Sequence, residues 1–226
     1  MSELRLVIFD VDGTLVDSQA HILAAMKRAF ASIGHRAPPH EATLGIVGLS
    51  LPVAMERLAP DIPDRVPDLV AAYKTAFAGL RSGADGQTLS PLFPGALECL
   101  RALAADPWTL LGIATGKSRR GLDHLFDLHG FGTLFQTVQV ADDHPSKPHP
   151  SMLEACLRET GVEPRRAVIV GDTTFDMEMG RSAGIRTLGV EWGYHRAEDL
   201  RAAGADHVIG GFDALQTAVD AVLQAP

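Results

Sequence analysis

Two aspartates stand close together at the end of the first apolar stretch of this chain. Residues 4–9 are almost wholly apolar, as in a strand that is buried on both faces at the centre of a parallel sheet. Asp10 and Asp12 follow, and in extended chain their side chains project to the same side before Gly13 allows a turn. Two carboxylates in such a place repel each other and lose water, so they need a cation, a shared proton or a reaction. A plain turn with a capping aspartate is the alternative at this point.

The composition is that of an ordinary globular protein. The chain has 226 residues, of which 46% are apolar and 21% charged, enough for one large domain or a core with a smaller insert. The net charge is -8 and no dense run of Lys and Arg occurs, so we expect neither nucleic acid nor a membrane as partner. No apolar segment approaches the ~20 residues that cross a bilayer. The first strand begins too early for a signal peptide, and Cys99 and Cys156 fall in apolar helical patterns as buried free thiols. We therefore expect a cytoplasmic protein.

Strands and helices alternate along most of the chain. After the first strand, apolar runs typical of buried strands occupy residues 109–114, 135–140, 167–170, 187–190 and about 208–209. Amphipathic helical patterns separate them. This alternation predicts an α/β fold, a doubly wound parallel sheet with helices on both faces.

A purely helical stretch interrupts the alternation after the first strand. Three helical patterns lie between Gln19 and Leu80, and Ser50 is in position to cap the second of them. A turn-rich linker follows at residues 82–91. We therefore predict two units, an α/β core formed by residues 1–15 and 90–226 and an all-helical insert formed by residues 16–89.

Further polar residues follow the other predicted strands. Thr115 comes after the second strand, Lys147 lies in the polar loop after the third, and Asp172 and Asp176 come after the fourth. Ligands bind at the carboxyl ends of the strands in such sheets, so we expect these side chains to meet the two aspartates of the first strand. Each alone has an ordinary explanation as a helix cap, a solvated lysine or a first-turn acid. Together they predict one site, with Lys147 as the only protein cation among the acids.

With these residues in view, the chain resembles the haloacid dehalogenase superfamily of phosphohydrolases. DVDGT after a hydrophobic strand is typical of that superfamily, and FDVDGTLVDS is similar to its phosphoglycolate phosphatase branch. Thr115, Lys147 and the pair Asp172 and Asp176 match its other motifs in order, type and context. The resemblance implies a Rossmann-like core with a helical cap. The helical insert of this chain lies where the family has that cap. The resemblance also implies a Mg²⁺-dependent phosphatase that acts on a small phosphorylated metabolite, as a monomer or homodimer.

The resemblance further implies a role for each residue of the site. Asp10 would be the nucleophile and form an aspartyl-phosphate. Asp12 would protonate the leaving oxygen and later accept a proton from water, and crowding by other carboxylates would favour its protonated form. Thr115, the backbone N–H of Gly116 and Lys147 would hold the phosphate. The implied ligands of Mg²⁺ are Asp10, the carbonyl of Asp12, Asp172 and, in a supporting role, Asp176.

The part of the substrate beyond the phosphate would be recognised by the cap. Asp17 and Ser18, close to the first strand, are candidates for this by position, as are Gly48, Leu49 and Ser50 in a loop of the cap. Phosphoglycolate is the leading substrate by resemblance alone.

Other activities fit part of this pattern. Asp12 argues against dehalogenases and phosphonate hydrolases, which have other residues there, and Thr14 favours a phosphatase over a β-phosphoglucomutase. A pyrophosphatase stays an alternative. A phosphoacceptor receiver domain also has Asp, Thr and Lys at strand ends, but the helical insert, Asp12 and the chain length argue against it. A scaffold that only binds is disfavoured because every polar group of the mechanism is present.

His144 and His149 flank Lys147, but no compact histidine cluster supports a role as metal ligands. The stretch Trp192-Gly193-Tyr194 is predicted to be a loop that packs against the core without a catalytic role.

Overall fold

A six-stranded parallel sheet forms the centre of the computed structural model, which describes residues 3–81 and 89–224. The strands are β1 (Arg5–Phe9), β2 (Thr109–Thr115), β3 (Thr137–Val140), β4 (Ala167–Gly171), β5 (Arg186–Val190) and β6 (His207–Ile209). Their spatial order is β3-β2-β1-β4-β5-β6, and every neighbouring pair is parallel. The predicted doubly wound sheet is therefore confirmed.

β1 lies at the middle of the sheet because its side chains are apolar on both faces. Its residues pair with β2 on one side and with β4 on the other, and Phe9 is opposite Ile113 and Val170. This register brings the carboxyl ends of three strands next to one another. Side chains that follow these strands are thus placed at one edge of the sheet.

Helices cover both faces of the sheet. The helices are α1 (Gln19–Ser32), α2 (His40–Leu44), α3 (Leu51–Leu58), α4 (Val66–Arg81), α5 (Ala96–Ala104), α6 (Arg119–His129), α7 (Ser151–Thr160), α8 (Thr174–Ser182), α9 (Ala197–Ala202) and α10 (Leu215–Gln224). On one face Val7 and Phe9 of β1 pack in a cluster with residues of α5, α6 and α10. On the other face Leu6 and Ile8 pack with residues of α7 and α8. No helix of the described residues is long and apolar enough to cross a membrane.

The helices α1–α4 form the cap and have an apolar cluster of their own, which includes Met26, Phe30, Met55 and Leu69. The sequence predicted three of these helices and missed α2, which has five residues and begins after Pro39. Ser50 precedes α3 as predicted, but its side chain makes no capping hydrogen bond. The exact division into residues 1–15, 16–89 and 90–226 stays a prediction, and most of the predicted linker lies at residues 82–88, outside the described residues.

Candidate active site

Asp10 lies at the carboxyl end of β1, at the floor of a cavity. Its backbone N–H donates to the carbonyl of Val170 at 2.9 Å, which continues the pairing of β1 with β4. The side chain is 1% exposed, its Oδ1 lies within ion-pair distance of Lys147, and its Oδ2 has no hydrogen-bond partner in the described part of the chain. A buried carboxylate oxygen without a hydrogen bond is costly, and a ligand bound in the cavity would lower that cost.

Three buried carboxylates come together here. One oxygen each from Asp10, Asp172 and Asp176 lie within 4.8 Å of one another. Asp172 accepts hydrogen bonds from the hydroxyl of Thr14 and from the backbone N–H of Tyr194, each at 2.9 Å. Burial raises the pKa of Asp10 to about 6 although Lys147 opposes the shift, and burial together with the two other carboxylates raises the pKa of Asp172 well above its usual range.

Lys147 is the cation of this cluster, as predicted. Its Nζ lies 3.0 Å from Oδ1 of Asp10 and 2.7 Å from Oδ1 of Asp176, and the residue is 2% exposed. Burial disfavours the ammonium, but the two carboxylates outweigh burial and raise the pKa of Lys147. Three carboxylates and one ammonium leave an excess of two negative charges, which equals the charge of one divalent cation.

Asp176 holds its neighbours in place. Its Oδ2 accepts hydrogen bonds from the backbone N–H of Thr173 at 3.1 Å and from its hydroxyl at 2.6 Å, in a capping box at the start of α8. Its Oδ1 accepts from Lys147 at 2.7 Å. Both oxygens are thus engaged, which fits the predicted supporting role better than direct ligation.

The residues present fit a magnesium ion. Mg²⁺ prefers carboxylate and carbonyl oxygens and is usually bound by one or two carboxylates. The unpartnered Oδ2 of Asp10, the close carboxylate of Asp172 and the charge excess meet that preference. The ligation of a metal by Asp10, Asp12, Asp172 and Asp176 stays a prediction.

Asp12 has partners that the sequence did not reveal. Nζ of Lys117 lies 2.8 Å from its Oδ1 and 2.7 Å from its Oδ2, and the hydroxyl of Ser18 also donates to Oδ1. The prediction that Lys147 is the only cation among these acids is therefore wrong. Lys117 was missed because it comes just before α6, where a lysine is ordinarily solvated. The available signal was its place two residues after Thr115.

Thr115 is the last residue of β2, and Gly116 follows it beside this pair. Thr115 is 1% exposed, and its hydroxyl accepts from the backbone N–H of Lys117 at 3.2 Å. A Cβ atom on Gly116 would lie 2.4 Å from the carbonyl oxygen of Gly48, so the backbone of the cap approaches the core here as closely as a glycine allows. Both residues border the same cavity as Asp10.

The cavity, of about 940 Å³, lies between the ends of the strands and the cap. Gly48, Leu49 and Ser50 line it, and their contact with the substrate stays a prediction. Asp17 and Ser18 are not among the residues that line it. The carboxylate of Asp17 accepts from the backbone N–H of Gln19 at 3.3 Å, and Ser18 is buried against Asp12.

The two histidines beside Lys147 have structural partners. Nδ1 of His144 lies 2.8 Å from the hydroxyl of Ser151, and its Nε2 lies 2.8 Å from the side-chain oxygen of Gln139. Nδ1 of His149 accepts from the backbone N–H of Ser151 at 3.2 Å. Neither histidine lines the cavity.

The loop with Trp192, Gly193 and Tyr194 packs against the site as well as the core. The indole N–H of Trp192 donates to the carbonyl of Thr14 at 3.1 Å. Gly193 has no room for a side chain, because a Cβ atom would lie 2.1 Å from that of Asp172. The loop thus fixes Asp172 through backbone contacts, which the sequence pattern could not show.

The sequence of this chain matches the model of a known protein family. The model of the haloacid dehalogenase-like hydrolases matches residues 7–190, a range that includes Asp10, Asp12, Thr115, Lys147, Asp172 and Asp176. The chain belongs to this family. The resemblance found in the sequence is therefore confirmed.

Individual members of the haloacid dehalogenase-like hydrolases match over most of their length. A probable phosphatase, IndB, of Dickeya dadantii is 33% identical over 223 residues, which are 97% of this chain and 95% of the relative. A phosphoglycolate phosphatase of Pseudomonas putida is 30% identical over 93% of this chain and 78% of its own. The pyrophosphatase PpaX of Bacillus pumilus is 30% identical over 88% of each chain.

The solved structures agree on the fold. A haloacid dehalogenase-like hydrolase of Streptococcus pneumoniae superposes with a TM-score of 0.82 at 25% identity, over 96% of this chain and 99% of its own. The Rossmann-like core with a helical cap is therefore confirmed for this member of the family.

Proposed function

We propose that this hydrolase is a Mg²⁺-dependent phosphatase that cleaves a small phosphate monoester through an aspartyl-phosphate on Asp10. The observation that carries the proposal is the carboxylate of Asp10, which borders the cavity and is buried, and whose Oδ2 has no hydrogen-bond partner among the described residues. An ionised carboxylate at this place is ready to attack phosphorus. The ion pair with Lys147 supports the ionised form.

Two half-reactions follow from the placement of Asp10 and Asp12. In the first, an oxygen of Asp10 forms a bond to phosphorus, the bond to the ester oxygen breaks, and that oxygen takes a proton from Asp12. In the second, the oxygen of a water molecule forms a bond to phosphorus, the bond between phosphorus and the Asp10 oxygen breaks, and the water gives a proton to Asp12. Inorganic phosphate leaves, and both carboxyl groups are restored. Thr115, the backbone N–H of Gly116 and Lys147 hold the phosphoryl oxygens. Mg²⁺, when bound, supplies positive charge that stabilises the phosphoryl group in the transition state.

The leading substrate is phosphoglycolate, or a phosphate monoester of similar kind. The support is the likeness to proteins named phosphoglycolate phosphatase and the cavity that separates the carboxylates from the cap. A pyrophosphatase is the second candidate, because the similar protein PpaX carries that name. In both cases the same aspartates would act on a phosphoryl group, and the leaving group alone would differ.

The proposal is tested by trapping the phosphoenzyme. With Mg²⁺ the protein is expected to release inorganic phosphate from phosphoglycolate and to carry acid-stable phosphate on Asp10 after quenching, and excess chelator should abolish both. Asp10→Asn should lose turnover and labelling. Asp12→Ala should still transfer phosphate from a good leaving group but hydrolyse the intermediate ~10²–10⁴-fold more slowly.

Asp61→Asn is the matched control, since Asp61 is exposed and does not line the cavity. It should keep full activity. Phosphate trapped on any residue other than Asp10, or full activity after exhaustive chelation, would show that the proposed function is wrong.

A further inference from the structure

The pair formed by Lys117 and Asp12 is the part of the site that the two half-reactions leave unexplained. Both carboxylate oxygens of Asp12 face the ammonium of Lys117, at 2.8 and 2.7 Å. The side chains of Lys117 and Asp12 are only 9% and 13% exposed. A lysine so well covered is not an ordinary solvated charge.

We propose that Lys117 is a positioning residue that holds Asp12 in the orientation needed to protonate the leaving group. This inference rests on the proposed function, in which Asp12 is the general acid and base. A carboxylate can rotate about two side-chain bonds, and catalysis requires its oxygen within hydrogen-bond reach of the leaving oxygen. Lys117 and Ser18 together bind Asp12 and restrict that rotation.

The position of Lys117 in the chain argues that it is there for Asp12. It comes directly before Ser118, the residue that caps the start of α6. A cation at the N-terminal end of a helix is disfavoured by the helix dipole, so the helix gains nothing from this lysine. The carboxylate of Asp12 supplies the compensating charge.

The cap also holds the ammonium of Lys117. Nζ lies 5.2 Å from the centre of the Phe77 ring, in the geometry of a cation–π contact. Phe77 belongs to α4 and stacks on His21 of α1 with ring centres 3.6 Å apart. Nε2 of His21 lies 3.0 Å from the carbonyl oxygen of Phe77, which fixes the stack further. Lys117 is thus held between the cap and Asp12, and its ammonium has little freedom to move.

The test separates the leaving-group step from the rest of the reaction. Enzyme in excess is mixed with an alkyl phosphate, phosphoglycolate, or with an aryl phosphate, p-nitrophenyl phosphate, and release of the alcohol or phenol is followed in a single turnover. The alkyl oxygen needs a proton as it leaves, whereas the nitrophenyl oxygen does not. Lys117→Met should slow alcohol release by about 10–100-fold, whereas phenol release from the aryl ester should change by less than about 3-fold. The KM for phosphoglycolate, taken from steady-state assays, should also change by less than about 3-fold.

Three further variants make this result specific. Lys117→Arg keeps a cation that can bind both oxygens of Asp12, and it should restore most of the rate for the alkyl ester. Lys27→Met, which removes an exposed lysine away from the cavity, should behave as wild type. In the background of Asp12→Asn, Lys117→Met should cause no further loss, because the residue that it positions is gone.

Three outcomes would overturn the inference. One is an equal loss for the alkyl and the aryl ester, and another is a loss confined to KM, which would make Lys117 a substrate-binding residue. The third is a loss that adds fully to that of Asp12→Asn. If phosphate is trapped on Asp10 of the wild type and the variants give one of these outcomes, the proposed function stands and only the inference is wrong. If the wild type never carries phosphate on Asp10, both are wrong. Thermal unfolding of each variant identifies a loss that comes from failed folding, and Lys117→Arg then carries the comparison.

Discussion

The residues at the ends of β1 and β4 bring buried carboxylates together with an excess of negative charge. Asp10 and Asp172 are buried with raised pKa values, and Lys147 offsets only one of the negative charges. Burial of a carboxylate costs free energy of folding, and that cost grows as the group ionises. The cost at Asp10 can therefore be measured through the pH dependence of stability.

In the absence of metal, we expect Asp10 to destabilise the protein as the pH rises. Its pKa of about 6 in the native protein is above that of the unfolded chain, so the native state binds more protons between about pH 4 and pH 6. The associated stability is complete below about pH 4 and is lost as the pH rises through about 6. The whole effect is roughly 3 kcal/mol, of which roughly 2 kcal/mol falls between about pH 4.5 and pH 7.5.

The measurement is urea unfolding of the wild type and of Asp10→Asn in chelator at these two pH values. The free energy of unfolding of Asp10→Asn, relative to that of the wild type, should rise by that amount from the lower to the higher pH. Saturating Mg²⁺ should remove this difference in stability, because the cation favours the ionised form of Asp10 in the wild type. Asp61→Asn serves again as the control. A stability difference between wild type and Asp10→Asn that does not depend on pH would contradict the raised pKa.

Several residues of the site follow from the sequence, and others do not. Asp10, Thr115, Lys147 and Asp172 could be placed together because each comes after a predicted strand and parallel strands end at one edge. The partnership of Lys117 with Asp12 could not, since it depends on how closely the turn after β2 approaches β1. Hydrogen bonds from a backbone, such as that of Tyr194 to Asp172, leave no trace in residue types.

At the scale of elements, the loop between α2 and α3 joins the cap to the site. Its Ser50 donates a backbone hydrogen bond to the hydroxyl of Ser146 at 2.8 Å, in the loop that carries Lys147. Gly48 of the same loop lies over Thr173 and Gly116, and a Cβ on Gly48 would be 3.1 Å from the hydroxyl of Thr173. The loop therefore contacts the segments that follow β2, β3 and β4.

Gly116→Ala should displace this loop and reduce activity. The added Cβ would lie 2.4 Å from the carbonyl oxygen of Gly48 and 2.8 Å from that of Leu49, and backbone atoms cannot yield as a side chain can. A displacement of about 1 Å at a substrate-positioning element can cost ~10²-fold, so we expect kcat/KM for phosphoglycolate to fall by roughly 10–100-fold.

Gly79→Ala is the matched control for Gly116→Ala. Gly79 lies on α4 with nothing within 4 Å of its added Cβ, and it does not line the cavity. Activity should be unchanged, and stability should increase by about 0.5–1 kcal/mol because alanine favours the helix. Unchanged kcat/KM in Gly116→Ala would mean that the contact between Gly48 and Gly116 does not position substrate.

The predictable elements are those with a strong apolar pattern. The strands were found in order because each carries a run of apolar residues, but β3 begins at Thr137 rather than at residue 135. Phe135 instead contacts the rings of Phe126 and Phe131, a tertiary contact that outweighs its strand propensity. The short α2 was missed because five residues carry too few apolar positions to show a helical period.

At the scale of the whole molecule, the cavity is enclosed by the core and the cap together. The core contributes Asp10, Asp12 and Lys117. The cap contributes mostly apolar side chains, among them Met26, Tyr73 and Phe77. The backbone contact between Gly48 and Gly116 and the contact of Phe77 with Lys117 cover this side of the site. A ligand that reaches Asp10 must therefore fit within about 940 Å³, or the cap must stay open around it.

We expect this enclosure to restrict the enzyme to small phosphate monoesters. A metabolite of a few carbon atoms fits inside the cavity, whereas a phosphorylated peptide cannot be enclosed, and closure that excludes bulk water strengthens the charge interactions at the phosphoryl group. The measurement is kcat/KM for phosphoglycolate, sugar phosphates, nucleotides, pyrophosphate and a phosphopeptide, with Asp10→Asn as the blank. Phosphoglycolate or another small monoester should rank first and the phosphopeptide last. Pyrophosphate in first place would support the second candidate, and a phosphopeptide in first place would show that the cap does not enclose the reacting phosphate.

Interconversion of glucose 1-phosphate and glucose 6-phosphate without phosphate release would reveal a mutase, because the phosphoryl group would then return from Asp10 to a sugar and not to water.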